Sequence, residues 1–536
     1  MKILDQYTQK MDVRDFIHQT AEQLISAQVE QKLNWFQGLL AGNRIESAAK
    51  SIANSILNPI ADRLLFQHVT ILKVQYESVD STGNNPATLS GLLIIPDMPN
   101  GQPSMPILGF QRGTEVYRKN APSQFDMTQP LNIPEAVIGI ILACLNGYIV
   151  AMADYQGMGE DTANVQPYVS AEPLARSVVD LLLNTKEYVQ TLPFNRWNNQ
   201  TYLAGYSQGG YVTMATARMI EQDSELAKKI PLTAVAPCSG PYSLSDAMRF
   251  LMLRNEHFVE GGHFILMAIR GFNATYGDDF GEGIFTKAGA LRPEYQHLWD
   301  LANGDSTAAD IHKEMPPVPR DCLSFRLVEE LSNPEAPAFK VLQENDLINW
   351  KPNAPLHLYH NPSDDMVPFL NSEIAYNNIN QQNPSIALSP SFYTPLGTIV
   401  HVEAAIPTLL AAYAWLNTFR HANKHSLGPG EFLLGGDEVF SNNKKFCLRY
   451  QLDGMLIYYN VQDMTIRWQA NLEPAEHDTG IFIVQPEDGN LVVYNAQHDS
   501  VWASDTGKHP GSSLILTDAG GLEVIDSQGN LIKRFV

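Results

Sequence analysis

The sequence predicts an α/β protein followed by a separate all-β unit. Three observations carry this. From about residue 106, after a hairpin-like pair, short apolar strands alternate with amphipathic helical segments, a rhythm that implies a parallel sheet covered on both faces. One of those strands runs into Gly205-Tyr206-Ser207-Gln208-Gly209-Gly210 and then into a helical pattern, the strand–turn–helix context of a G-x-S-x-G nucleophile turn. From Ser426-Leu427-Gly428-Pro429-Gly430 onward the chain becomes Gly-rich, strand-like and internally repetitive.

The elements follow in order. Residues 1 to 66 read as a mostly helical extension, with Phe16, Ala21, Leu24 and Ile25 at helical spacing. At His68–Tyr76 the period changes to two. Thr88–Pro96 alternates in the same way, and Asp80–Asn85 between them reads as a hairpin loop. Further strands are expected at Pro106–Phe110, Tyr148–Ala153, Thr201–Gly205, Leu232–Ala236 and Leu356–His360. The apolar stretch between Glu135 and Asp154 is broken by Asn146-Gly147, so it reads as helix, turn and buried strand, not as a membrane span. Residues about 245 to 350, with Phe250-Leu251-Met252-Leu253, interrupt the rhythm and read as an insertion over the carboxyl edge of the sheet. The expected division is 1–66, 67–424 and 425–536. The last segment holds three units of roughly 30–35 residues, each ending on an aromatic: Trp468, Trp502 and Phe535. A three-fold all-β module whose aromatics meet near the pseudo-axis and form its core is expected.

Composition narrows the function. The chain has 536 residues, 44% of them apolar and 18% charged, enough for a full core. Its 36 basic and 58 acidic side chains give a net charge of −22, which argues against nucleic acid and anionic lipid as partners. Cys144, Cys238, Cys322 and Cys447 show no metal-knuckle spacing, and buried free thiols are expected. Met1–Lys10 lacks the apolar stretch of a secretory signal.

The chemistry centres on Ser207. A serine hydroxyl is a weak nucleophile and needs a base held by a third group. In the fold that carries the G-x-S-x-G turn, the chain order is Ser, then Asp or Glu, then His. Asp364 and Asp365 follow the strand Leu356–His360, and His401, after Gly397-Thr398-Ile399-Val400, precedes a helix running to Trp415-Leu416. Charge does not separate the two aspartates. Asp364 is the favoured partner of the imidazole, the other facing solvent or capping a helix. The backbone N–H of Gln208 is the expected first oxyanion donor, and that of Thr114, in Phe110-Gln111-Arg112-Gly113-Thr114, the second.

Those segments, together with Ala153-Asp154-Tyr155-Gln156-Gly157-Met158-Gly159, resemble the secretory lipase/esterase family of α/β-hydrolases over about residues 66 to 420. The family usually has histidine where this chain has Arg112. The resemblance implies an α/β-hydrolase fold, hydrolysis of a carboxylic ester or lipid through an acyl-enzyme, a helical lid at 245–350, and no metal or cofactor. The C-terminal segment resembles a bulb-type, mannose-binding lectin domain, a β-prism of three repeats with the sugar motif Q-x-D-x-N-x-V-x-Y. The first repeat keeps Gln451, Asp453 and Tyr459, with Met455 at the asparagine position. The second keeps Asp488, Asn490, Val492 and Tyr494, with Gln485 one residue early. The third keeps none of the polar set. The second repeat is therefore the better candidate for a mannose-type glycan and the first a weaker one; a non-binding scaffold is the alternative. A lectin module suggests an extracellular location. Three readings follow: an ester hydrolase with an appended carbohydrate-binding module, a carbohydrate-binding protein with the hydrolase body as scaffold, or a peptidase or acetyl-esterase on the same triad.

Overall fold

A computed structural model describes residues 1–7, 12–26, 64, 66–98, 102–256, 261–382, 387–390, 400–422, 424–472 and 480–536. A nine-stranded mixed sheet organises the first four-fifths of the chain, in the order β1-β2-β3-β5-β4-β6-β7-β8-β9. These strands are β1 (Lys2–Tyr7), β2 (His68–Val79), β3 (Pro86–Asp97), β4 (Met105–Gln111), β5 (Ile149–Ala153), β6 (Trp197–Tyr206), β7 (Leu232–Cys238), β8 (His357–His360) and β9 (Ala387–Pro390).

From β5 to β9 every neighbouring pair is parallel, and β1, β2 and β3 add an antiparallel edge. The strands expected from Pro106 to His360 are parallel to one another, as the strand–helix rhythm implies, and the expected hairpin of β2 and β3 supplies antiparallel pairing. β4 and β5 are buried along their whole length, as strands with both faces covered must be. Gly147 ends the preceding helix, Pro134–Asn146, at φ 68°, a left-handed position that glycine reaches without strain, and turns the chain into β5.

Residues 1–66 depart from a purely helical extension. Lys2–Tyr7 pairs antiparallel with β2, and only Val13–Ser26 is helix among the described residues there. Phe16 and Ala21 of that helix are buried. The side chains of Leu24 and Ile25, and the expected helix over 27–63, lie outside the described residues. Between β7 and β8 short helices form the insertion. Phe250 on it is 60% exposed, so it is not a core residue.

After residue 424 the chain makes three four-stranded antiparallel sheets. Each repeat supplies three strands: β13 (Phe446–Tyr450), β14 (Leu456–Asn460) and β15 (Ile466–Gln469); β16 (Ile481–Val484), β17 (Leu491–Tyr494) and β18 (Ser500–Ala503); β19 (Ser513–Leu516), β20 (Leu522–Ile525) and β21 (Leu531–Arg534). The entering segment threads past all three, giving β10 (Ser426–Leu427) to the third, β11 (Phe432–Leu434) to the second and β12 (Glu438–Phe440) to the first. Trp468, Trp502 and Phe535 do meet, with ring centroids 4.9–6.2 Å apart. They are only half-buried; the module's core is instead built from residues such as Leu448, Tyr458, Phe482, Val493 and Val524.

All four cysteines are buried and unpaired. Among the described residues no helix is long and apolar enough to cross a membrane, and no group of three His, Cys, Asp or Glu side chains is placed to hold a metal ion.

Candidate active site

Parallel strands deliver their carboxyl ends to one edge of the sheet, and the functional side chains stand there. β6 ends at Tyr206, and Ser207 turns the chain into the helix Gln208–Gln222 at φ 60°, ψ −123°. A positive φ is strained for serine. The turn is held by the Ser207 N–H, which donates to Cys238 O at 2.9 Å. The glycines around it are sterically required. A Cβ on Gly205 would lie 2.6 Å from Gln111 O, one on Gly209 2.0 Å from the same oxygen, and one on Gly210 2.2 Å from Cys238 O. The turn at Ser207 is therefore packed backbone to backbone against the end of β4 and the end of β7.

His401 is the first residue of the helix His401–Asn417; Gly397–Ile399 lie outside the described residues. Its Nε2 is 2.9 Å from Ser207 Oγ, and its Nδ1 is 2.5 Å from Asp364 Oδ2. With the proton on Nδ1 donated to the carboxylate, Nε2 is free to accept the serine proton. The Asp364 side chain is fully buried and also accepts the N–H groups of Met366 at 3.0 Å and Val367 at 2.7 Å. Burial alone would raise its pKa. The nearby charge of His401 and hydrogen bonds from His360 and His401 outweigh that and hold the carboxyl well below the usual aspartate range. Asp365 is exposed and accepts the His401 backbone N–H at 3.1 Å, at the start of the helix. Tyr206 donates its hydroxyl to His401 O at 2.7 Å.

Sequence reasoning missed His360. It is fully buried, with Nε2 2.9 Å from Val367 O and 3.4 Å from Asp364 Oδ2, so it braces the aspartate loop. Its place at the end of β8, four residues before Asp364, was the available signal.

Ser207 lies between two cavities of about 460 and about 70 Å³. Thr114, Phe264, Met366 and His401 line both. The larger is lined by apolar Ile138, Val402, Ala405 and Leu409 and by polar Glu115, Glu135, His263 and His312. His263 Nδ1 and His312 Nε2, from two helices of the insertion, are 2.8 Å apart. Burial pushes the pKa values of Glu115 and Glu135 up. The smaller cavity is walled by Leu244, Met248, Leu251, Met252 and Ile265. The insertion thus lies over Ser207. Gln208 opens its helix, where N–H groups lack an intrahelical acceptor. The Thr114 hydroxyl is 3.0 Å from Tyr168 Oη.

The lectin-type residues sit differently from the expectation. Val492 and Tyr494 are 3% and 5% exposed, and they belong to the core of the nine-stranded body together with Phe432, Leu434, Ile481 and Ile483. Asn490 Oδ1 accepts from Ser504 Oγ at 2.9 Å and the Thr506 N–H at 3.2 Å, and Tyr494 Oη accepts from Gln485 Nε2 at 2.7 Å. Asp488 Oδ1 accepts the Asn490 N–H at 2.8 Å. The two apolar positions of the motif are therefore covered by the nine-stranded body, while Asp488 and Asn490 are half-buried and each has one side-chain oxygen engaged internally. In the first repeat Asp453 is exposed, Gln451 half-buried and Tyr459 buried.

No family model matches the chain. It is 26% identical over 115 residues to a G-type lectin receptor-like serine/threonine kinase of Arabidopsis thaliana, a stretch covering 21% of this chain and 13% of that protein. Among solved structures it is similar to a Legionella pneumophila protein assigned as a hydrolase, at 26% identity and a TM-score of 0.57, covering 67% of this chain and 92% of that one. It is also similar to the rice cell wall degrading esterase LipA from Xanthomonas oryzae, at 25% identity and a TM-score of 0.54, covering 67% and 93%. Candida antarctica lipase A in its closed state, at 18% identity and a TM-score of 0.50, covers 65% and 78% and shares the fold. The chain has an α/β-hydrolase-like fold followed by separate all-β sheets.

Proposed function

We propose that this protein is a serine carboxylic-ester hydrolase acting through an acyl-enzyme. The observation that carries the reading is the unbroken relay from Ser207 Oγ to His401 Nε2 at 2.9 Å and from His401 Nδ1 to Asp364 at 2.5 Å. His401 takes the hydroxyl proton as Ser207 attacks the ester carbonyl carbon, and Asp364 stabilises the imidazolium formed. The N–H groups of Gln208 and Thr114 receive the oxyanion. Collapse of the tetrahedral adduct breaks the ester C–O bond, and His401 returns the proton to the departing alkoxide. Water then repeats the sequence on the acyl-serine, with His401 as base, releasing the acid and restoring the hydroxyl. None of these steps calls on a metal or cofactor.

The larger cavity, with its apolar wall from the helix His401–Asn417, suits an aliphatic or aromatic group of the ester. The esterase and lipase neighbours agree with that substrate class. The insertion is assigned as a lid, and 425–536 as a bulb-lectin-type β-prism, by its three repeats and its lectin-kinase similarity. Its second repeat acts as a scaffold, because the two apolar positions of the sugar motif are covered by the nine-stranded body.

The test is turnover of nitrophenyl esters of graded acyl length by the full chain beside Ser207→Ala. The wild type is expected to turn over at least about 10³ times faster than the variant. Equal rates would end the hydrolase reading.

A further inference from the structure

Arg112 stands where the lipase/esterase family usually has histidine, and the structure gives it a defined task. Its side chain is 2% exposed, at the end of β4 and two residues before Thr114. Its guanidinium reaches across to the end of β5, donating through Nη2 at 2.8 Å and Nε at 3.3 Å to Asp154 O. Through Nη1 it donates to Gly113 O at 3.0 Å, inside the loop itself. The plane lies over the Tyr155 ring, 4.6 Å from its centroid, and the Tyr155 hydroxyl returns a hydrogen bond to Arg112 O at 3.1 Å.

A second connection runs to the other side of the site. With the Gln166 amide oriented to suit its neighbours, its oxygen accepts from Arg112 Nη2 at 3.2 Å and from Gln208 Nε2 at 3.1 Å, and its nitrogen donates to Glu115 O at 3.2 Å. One guanidinium thus touches the Thr114 loop, the end of the neighbouring strand and, through one amide, the residue after the nucleophile. Only a planar fork with five N–H donors can serve these acceptors together; a lysine or histidine cannot.

The surroundings keep the group fixed. Asp154, whose carbonyl is the main anchor, is itself clamped, its carboxylate accepting from Ser90 Oγ at 2.6 Å and the Ser123 N–H at 2.8 Å. The Gln111 carbonyl is pressed on the glycines of the nucleophile turn. Catalysis by an oxyanion site depends on donors already in place before charge develops, so the spacing of the two N–H groups matters more than their presence.

We propose that Arg112, acting with Gln166, is a positioning residue that sets the loop bearing Thr114 against the helix start bearing Gln208, and so fixes the geometry of the oxyanion site. This rests on the serine-hydrolase reading above.

The experiment measures Arg112→Met, Arg112→Lys and Gln166→Leu in the full chain. Three quantities are read for each: the acylation rate with nitrophenyl butyrate, the inhibition constant of an alkyl trifluoromethyl ketone, and that of the matching alcohol. The ketone adds to Ser207 and places an oxyanion in the site, whereas the alcohol does not. Removing one oxyanion donor outright costs about 10²–10³ in rate; a displaced donor should cost less, about thirtyfold for Arg112→Met and about fivefold for Gln166→Leu. Arg112→Lys should fall between wild type and Arg112→Met. Ketone affinity should weaken by the same factor as the rate, while alcohol affinity stays within about twofold. A purely structural role would weaken both inhibitors together. Should Arg112→Met fail to fold, Gln166→Leu decides alone. Unchanged acylation in the variants, or equal weakening of ketone and alcohol, overturns the proposal while leaving the hydrolase intact. Absence of wild-type turnover above Ser207→Ala would instead remove the hydrolase reading, and this proposal with it.

Discussion

Two adjacent carboxylates divide one task around the imidazole. Asp364 is buried and bonds Nδ1 of His401, while Asp365 is exposed and bonds only its backbone N–H. Asp364→Asn should lower kcat by about 10⁴, because an amide supports the wrong tautomer and cannot stabilise the imidazolium. Asp365→Asn should cost about 1 kcal/mol of stability, through the start of the helix, and at most a few-fold in rate. Steady-state kinetics and thermal melts of both variants decide the matter; a larger rate loss in Asp365→Asn would exchange the two roles. Asp364 also has a pH signature. Its folded-state pKa is depressed, so its stabilising contribution is complete above the ordinary aspartate range and is lost progressively as pH falls from that range through the depressed value. At this scale Ser207 and His401 were legible, because a tight turn demands glycines and the order of the chain does the rest. Charge did not separate the two aspartates; Asp364 was favoured by its place before Pro368, and what distinguishes them in the fold is burial, Asp364 being enclosed against the imidazole and Asp365 exposed.

Strand β8 carries a half-buried histidine at its entrance and the fully buried His360 at its exit. His357 stacks on Tyr359 at 4.2 Å and meets Trp415 edge-on at 5.0 Å, and burial lowers its pKa from 6.5 to about 4. Between those two values the unfolded chain takes up a proton that the folded one refuses. Stability should therefore fall as pH drops from 6.5 toward 4, and this group should contribute no slope above about 6.5. Discounted for its partial exposure, the contribution is roughly 1 kcal/mol. Urea unfolding at pH 7 and pH 4.5 should show His357→Gln losing about that much less than wild type; an equal loss in both would assign the acid sensitivity elsewhere. Most elements were legible from their patterns: β2 alternates over most of its length, and β5 is a continuous apolar run after Asn146-Gly147. β3, expected to alternate, is instead buried without a break from Leu89 to Pro96, because both its faces are covered. Of the nine strands of the large sheet, the two that escaped are at its edges. β1 reads Lys-Ile-Leu-Asp-Gln-Tyr and β9 Ala-Leu-Ser-Pro. Edge strands are kept short and polar to discourage further pairing, which removes the pattern a sequence reading depends on.

At the scale of the whole chain, the all-β module is joined to the hydrolase-like body by more than a linker. In the second sheet alternate residues face opposite ways: Leu433, Phe482 and Val493 enter the module's own core, while Phe432, Ile483 and Val492 continue the core of the body. The lectin resemblance picked out Asp488, Asn490, Val492 and Tyr494 by their motif positions. A motif could not show that Val492 and Tyr494 pack into the core of the body, because that depends on what the strand meets in the folded chain. Phe432 sits at the centre of the junction, edge-on to Phe66 at 5.8 Å and beneath the Arg420 guanidinium at 4.2 Å, and the Ser104 N–H donates to Gly430 O at 2.8 Å nearby. Burying several such side chains couples the two units, each contributing about 1.5–3 kcal/mol. The wild type should therefore unfold in a single calorimetric transition. Phe432→Ala should cost about 3–5 kcal/mol, borne by the junction and not by the module's internal core, and should split the melt into two transitions. Two transitions in the wild type, or one unshifted transition in Phe432→Ala, would show that the body and the module are stabilised independently.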